Sequence, residues 1–177
     1  NVKKRLANVK HNSSNNYIKK VGLLIDESYF NEKEKLISEL IKNGIQSQNI
    51  EFLVFRDRIK KNEVFDYPVF SSKDMSWNGT FDKEQITTFT NANFDLLISY
   101  YDIEKAPLLL VTLNSKADFK VGFSSVDMRL NQFMIDTNAE TPSASGNGRR
   151  SNFSISGKLI STTAFLFSVC ARRSLII

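Results

Sequence analysis

Acidic and hydroxyl side chains recur directly after the apolar segments that have the pattern of β-strands. The residues are Asp26, Glu27, Ser28, Asp57, Asp102, Ser124, Ser125 and Asp127. In an open parallel sheet, ligands bind beyond the carboxyl ends of the strands, so these side chains are expected at one edge. Carboxylates at such an edge hold Mg²⁺, act as general bases or bind a sugar hydroxyl.

Three of these carboxylates, Asp26, Glu27 and Asp102, are the candidates for a catalytic or metal-binding role, with Ser124 or Ser125 near a phosphate or sugar. A second interpretation is that Asp26 and Asp102 cap the helices that follow them, because Asp is favoured at helix N-termini. Ser28, Asp57 and Asp127 are further candidates for ligand binding.

The only tryptophan, Trp77, lies in the segment Ser76-Trp-Asn-Gly79, where Asn-Gly favours a tight turn. A tryptophan on a loop is a platform for a ligand, and Trp77 is therefore a binding candidate. The competing interpretation is that its indole covers the edge of the hydrophobic core.

Several catalytic classes are disfavoured by what the sequence lacks. His11 is the only histidine, and it lies in a basic N-terminal segment, so a Ser-His-Asp triad or a histidine metal cage in the body is unavailable. Neither the dinucleotide-binding glycine pattern nor a P-loop occurs. We therefore predict no cofactor and no metal, and favour a protein that is not an enzyme.

The elements that must position these residues form two strand, helix, strand units, at 17–55 and 94–123. Leu36, Ile37, Leu40 and Ile41 repeat at helical spacing, which predicts a helix over 32–43 that ends before Gly44. Near-continuous apolar runs predict buried parallel strands, and Pro107 suits the first turn of a helix. The predicted fold is an α/β, three-layer Rossmann-like sandwich with a mostly parallel sheet of about five strands.

The region between the two units is less regular. Pro68 restricts a strand at 67–70 to an edge position or a strand start. Asp82 and Gln85 have the spacing of a helix cap before a short helix, as do Asn31 and Glu34 before the first helix.

Charge is segregated along the chain. All 19 acidic residues lie between Asp26 and Glu140, whereas residues 1–20 and 141–177 carry 11 of the 24 basic residues and no acid. Residues 1–16 are therefore predicted to be a basic arm or linker, residues 17–140 the folded domain and residues 141–177 an atypical tail. One hypothesis is that the basic arm makes weak contact with nucleic acid or an anionic membrane through Lys3, Lys4, Arg5 and Lys10. The other hypothesis is that the two basic terminal segments are solvated tails.

The tail from Thr141 changes from a polar, acid-free stretch to the nearly apolar segment 159–171. A packed terminal strand or helix is one interpretation. The other is a frameshift product, because glutamate codons read one base out of register encode Arg-Arg, as at Arg149 and Arg150. The nucleotide sequence tests the second interpretation directly.

Five segments together resemble a family of small bacterial proteins of unknown function. They are Val21-Gly-Leu-Leu-Ile-Asp-Glu27, Asn43-Gly-Ile45, Ser76-Trp-Asn-Gly79, Phe94-Asp-Leu-Leu-Ile98 and Phe119-Lys-Val-Gly-Phe-Ser-Ser-Val-Asp127. This resemblance covers about residues 17–140 and implies a Rossmann-like domain in a bacterial protein. The second unit alone is also similar to the acceptor-side half of heptosyltransferase-like glycosyltransferases, which implies shared architecture.

The sequence thus predicts a single-domain module that binds a small ligand or a protein partner without catalysis. Its first alternative is a carboxylate-dependent enzyme acting on a phosphate- or sugar-containing substrate. Its second alternative is peripheral binding to RNA or membrane through the basic arm. The lone Cys170 permits a reducing compartment, and the cytoplasm is the default expectation.

Overall fold

The structure is a computed structural model, and it describes residues 18–28 and 33–135. Its centre is a six-stranded sheet in the order β3-β2-β1-β4-β5-β6, with every neighbouring pair parallel. The strands are β1 (Val21–Asp26), β2 (Ile50–Phe55), β3 (Val69–Phe70), β4 (Leu96–Tyr100), β5 (Phe119–Phe123) and β6 (Phe133–Ile135). The predicted class is confirmed, and the predicted count of about five strands was one too low.

Three α-helices lie in the described part of the chain: α1 (Lys33–Lys42), α2 (Glu84–Asn91) and α3 (Ala106–Asn114). Short 3₁₀ turns occupy Ser47–Asn49 and Ser72–Asp74. The apolar spacing at 32–43 is confirmed as a helix, with Leu36 and Leu40 buried. Pro107 is in the first turn of α3, where its missing N–H costs nothing.

The predicted helix caps were wrong where the structure describes them. Lys83 precedes α2 and Lys105 precedes α3 at the cap positions, and neither makes a side-chain cap hydrogen bond. Asp82 instead accepts a hydrogen bond from Ser76 Oγ at 3.3 Å. The cap predicted at Asn31 lies outside the described residues.

Two apolar layers enclose the sheet, because successive residues of a strand point to opposite faces. On one face Val21, Leu23 and Ile25 pack with Leu36 and Leu40 of α1. On the other face Leu24 of β1 and Leu97 of β4 pack with α2 and α3. All six residues of β1 are buried, as expected for a central strand.

The chain leaves β1 in one direction through β2 and β3, and later crosses back to β4 and continues outward to β6. The reversal of strand order therefore falls between β1 and β4. Ligands of doubly wound sheets bind outside the carboxyl ends of the strands at such a switch point. Asp26 ends β1 at this position, so the fold places one predicted site residue there.

Candidate functional site at the carboxyl edge of the sheet

We use the term carboxyl edge for the rim formed by the residues that follow β1, β2, β4 and β5. At its centre, Lys105 Nζ lies 2.6 Å from Asp26 Oδ2 and 2.9 Å from Asp57 Oδ2. The backbone N–H of Ser28 donates to Asp26 Oδ1 at 2.9 Å, and the N–H of Asp57 donates to Ser28 Oγ at 3.0 Å. Three predicted site residues, Asp26, Ser28 and Asp57, are therefore brought together around one lysine.

The lysine at the centre of this cluster is largely buried, with 14 % of its side chain exposed. Burial disfavours the ammonium form, but the hydrogen bonds to Asp26 and Asp57 outweigh it and raise the pKa of Lys105. The ammonium also lies 5.0 Å from the centre of the Phe55 ring. A fixed positive charge therefore sits between the two carboxylates.

Glu27 is the hub of a second cluster beside the first, and its side chain is 2 % exposed. Arg56 donates to Glu27 Oε2 from Nη2 at 2.8 Å and from Nε at 3.1 Å, and Tyr67 OH donates to the same oxygen at 3.1 Å. Lys33 Nζ lies 3.0 Å from Oε1. Arg56 also reaches Glu63 at 3.1 Å. The buried carboxylate is thus balanced by two cations.

The pKa values of the partners of Glu27 are shifted by this arrangement. Burial is the largest influence on Tyr67 and, with the nearby charge of Glu27, raises the pKa of its phenol. Burial opposes the charged forms of Lys33 and Arg56, but their hydrogen bonds to Glu27 prevail, and the pKa of each is raised. All three side chains are held in the protonation state that neutral pH gives them.

The remaining edge candidates do not join these clusters. Asp102, Ser124 and Ser125 are exposed. The backbone N–H of Ser124 donates to Ile135 O at 2.9 Å, which ties the end of β5 to β6. Asp127 pairs with Arg129 two residues later. Within residues 18–28 and 33–135, no group of three or more His, Cys, Asp or Glu side chains is arranged to hold a metal ion.

The cations Lys105, Arg56 and Lys33 are the site residues that the sequence analysis did not select. A weak signal existed for Lys105, which directly precedes the Ala-Pro start of a helix, and for Arg56, which directly follows a strand. Neither position identifies a partner, because Lys105 pairs with Asp26 and Arg56 with Glu27, which are distant in the chain.

Trp77 lies on a tight turn in which Gly79 N–H donates to Ser76 O at 2.8 Å. Gly79 has φ +78°, a conformation that favours glycine. The Trp77 side chain is 99 % exposed, so the interpretation that it covers the core was wrong. Three other large apolar side chains are exposed in segments that follow strands: Val64, Ile103 and Met128.

The hypotheses on the basic arm and the tail fall on residues outside the described part, including Lys3, Lys4, Arg5 and Lys10. Among the described helices, none is long and apolar enough to cross a membrane.

The strand order and the switch point define a doubly wound α/β protein of the Rossmann-like class. The chain belongs to the family of unknown function DUF6913, whose profile matches residues 1–145. No curated protein and no solved structure matches it.

Proposed function

We propose that this protein is a non-catalytic binding module that holds a protein partner through exposed apolar side chains on the loops that follow its strands. The observation that carries this proposal is the distribution of exposed apolar side chains. Of the five large hydrophobic residues exposed in the described part, four lie in segments that follow strands: Val64, Trp77, Ile103 and Met128. Exposed large apolar side chains are typical of interaction surfaces, and tryptophan is enriched at binding hot spots.

The ion pairs support binding over catalysis. A general base needs a carboxylate that is free to take a proton, whereas Asp26 and Glu27 are each engaged by cations at 2.6–3.0 Å. Closed charge clusters of this kind stiffen the rim. A stiff rim presents the neighbouring loop side chains of Val64, beside Glu63, and Ile103, close to Lys105, to a partner at low entropic cost.

The experiment uses Trp77 as its own reporter, because it is the only tryptophan in the chain. A phage-displayed peptide library is selected on the full chain and depleted on the Trp77→Ala variant. Selected peptides are then titrated while the fluorescence of Trp77 is read. We expect a blue shift and protection from acrylamide quenching, since binding removes the indole from water.

The matched control is Ile41→Ala, which removes an exposed apolar side chain from α1, away from the carboxyl edge. We expect it to bind the selected peptides like the native chain. Peptides that bind the native chain and Trp77→Ala equally, or a library that yields no binder, would contradict the proposal.

A carboxylate-dependent enzyme is the second candidate, favoured by the approach of Asp26 and Asp57 to one ammonium. Its test is a thermal-shift screen with nucleotides, sugar phosphates and divalent cations on the native chain and on Asp57→Asn. Stabilisation that Asp57→Asn abolishes would favour the enzyme. Contact of the basic arm with RNA or membrane stays a prediction, with loss of binding at moderate salt as its signature. The bacterial cytoplasm also stays a prediction, based on the resemblance and on Cys170.

A further inference from the structure

The outer edge of β2 is only partly paired. β3 contacts β2 at Val54 and Phe55 alone, so the first four residues of β2, from Ile50 to Leu53, have no described strand beside them on that side. Unpaired strand edges present backbone donors and acceptors to solvent and are templates for pairing with another chain. These four residues of β2 therefore form an open edge of the sheet.

The reason for the opening is Pro68. Val54 N–H donates to Pro68 O at 3.0 Å, and Arg56 N–H donates to Phe70 O at 2.9 Å. Continuing this parallel ladder by one step requires the N–H of residue 68 to donate to Phe52 O. Proline has no N–H, so the ladder ends there. Among the described residues, the Phe52 N–H also has no backbone partner on this edge.

The neighbouring edge of β3 is protected by a side chain. Lys83 Nζ donates to Val69 O at 2.7 Å, which covers the outer side of that short strand. A lysine at a strand edge is a common protection against further pairing. The Tyr67 ring packs against the Phe52 ring, with 6.2 Å between the ring centres, but among the described residues no hydrogen bond of this kind covers the Phe52 backbone on this edge. The opening is therefore confined to the first four residues of β2.

A groove of about 450 Å³ lies beside this opening. Phe52 and Pro68 line it from the strand side, and Thr88 and Phe89 line it from α2. The charged residues in its lining are both acidic, Glu51 and Glu84. An apolar floor with carboxylates at its rim suits an extended chain that carries a basic side chain.

We propose that the groove binds an extended, lysine- or arginine-containing peptide segment of another protein, which adds as a strand to β2. The peptide backbone pairs with the N–H and C=O of Phe52, and alternate side chains point to opposite faces of the sheet. Basic side chains on the α2 face lie between Glu51 and Glu84. This site is separate from the carboxyl edge and goes beyond the proposed function.

The existing partner of Glu51 does not close the site. Lys20 Nζ lies 2.7 Å from Glu51 Oε1, but both side chains are 40 % exposed. Exposed pairs of this kind contribute little free energy. Glu84 is also exposed, in the first turn of α2. An incoming cation therefore meets two accessible carboxylates.

The probe is a fluorescein-labelled peptide of seven residues in which valine and lysine alternate, titrated into the full chain by fluorescence anisotropy. Two control peptides accompany it: one with glutamate in place of lysine, and one with N-methyl groups on alternate backbone amides. We expect the lysine peptide to bind and both controls to bind at least about tenfold more weakly, about 1.4 kcal/mol. Hydrogen exchange should show slower exchange of the Phe52 amide when the peptide is bound.

The protein variants are Glu84→Gln and Thr88→Trp, both at exposed positions on α2. We expect Glu84→Gln to weaken binding and the bulkier Thr88→Trp to block it, with unfolding temperatures near that of the native chain. Glu104→Gln is the matched control, since it removes an exposed carboxylate near the carboxyl edge.

Equal binding of the lysine and glutamate peptides, or no change in Phe52 exchange on binding, would overturn the proposal. Absence of peptide binding to the full chain would also overturn the proposal, since it would mean that a second copy or residues 1–17 already fill the groove. Because Glu84→Gln and Thr88→Trp change neither Trp77 nor the carboxyl edge, these failures leave the proposed function untouched.

Discussion

Lys105 Nζ lies 2.6 Å from Asp26 Oδ2 and joins the start of α3 to the end of β1 at the switch point of the sheet. The same nitrogen holds Asp57, beyond the end of β2. One ammonium therefore ties together three segments of the carboxyl edge.

Replacing this lysine is expected to destabilise the fold. Lys105→Met leaves the carboxylate of Asp26, which is 6 % exposed, without its cation. An uncompensated buried charge costs on the order of 3 kcal/mol in the free energy of unfolding. Urea denaturation measures the loss, and Lys116→Met, at an exposed position, should cost less than about 0.5 kcal/mol. Similar values for both variants would contradict this account.

Glu27→Gln tests the second cluster. It removes the charge that balances Arg56 and Lys33 and is expected to cost on the order of 2 kcal/mol. Glu63→Gln, which removes a more exposed partner of the same Arg56, should cost less than about 1 kcal/mol. The pKa of Tyr67 should also fall in Glu27→Gln, because the nearby negative charge raises it in the native chain. An NMR titration of the tyrosine rings measures this, and an unchanged pKa would show that burial alone sets it.

Lys120 makes the stability depend on pH at alkaline values. Its ammonium is buried beside α3 and donates to Thr112 O at 2.7 Å, a carbonyl in the last turn of the helix. Burial lowers the pKa of Lys120 to about 8, from 10.5. Between these values the unfolded chain keeps a proton that the folded chain has released. The free energy of unfolding therefore rises with pH across this window, by roughly 3 kcal/mol for this group.

The comparison variant is Lys120→Met, which has no charge to titrate. As the pH rises from 8 to 10.5, we expect the free energy of unfolding of the native chain to rise relative to that of Lys120→Met. Urea denaturation at several pH values measures it. A difference that is constant with pH would mean that the folded and unfolded chains titrate Lys120 alike.

Gly22→Ala is expected to destabilise the central strand. A Cβ atom at residue 22 would lie 2.7 Å from Cδ2 of Phe94, which is fully buried and has little room to move. Overpacking of this kind typically lowers the free energy of unfolding by about 1–3 kcal/mol. Gly44→Ala is the comparison variant, because no atom lies within 4 Å of the added Cβ. Gly44 has φ +97°, so backbone strain would be the source of any loss of stability in that variant. If Phe94→Leu does not relieve the cost of Gly22→Ala, the steric explanation is wrong.

Sequence patterns predicted the elements well where the signal was local. Leu36 and Leu40 repeat at helical spacing, and the unbroken apolar run of β1 is typical of a buried parallel strand, so both were found. Pro68 correctly placed the following strand at an edge. Asp82 failed as a cap because a cap motif is short and recurs by chance in polar loops, and here its carboxylate bonds to Ser76. Trp77 was ambiguous because residue type alone does not say whether a loop folds over the core.

The sequence by itself determined the α/β class, the segregation of charge and the presence of carboxylates after the strands, because each depends on residue type and spacing along the chain. The tertiary structure alone decided which charges meet. Asp26 pairs with Lys105 and Glu27 with Arg56 because parallel strands bring distant carboxyl ends to one rim. It likewise decided that Trp77 is exposed and that the outer side of Phe52 has no described strand beside it, since both depend on what lies beside a residue in space.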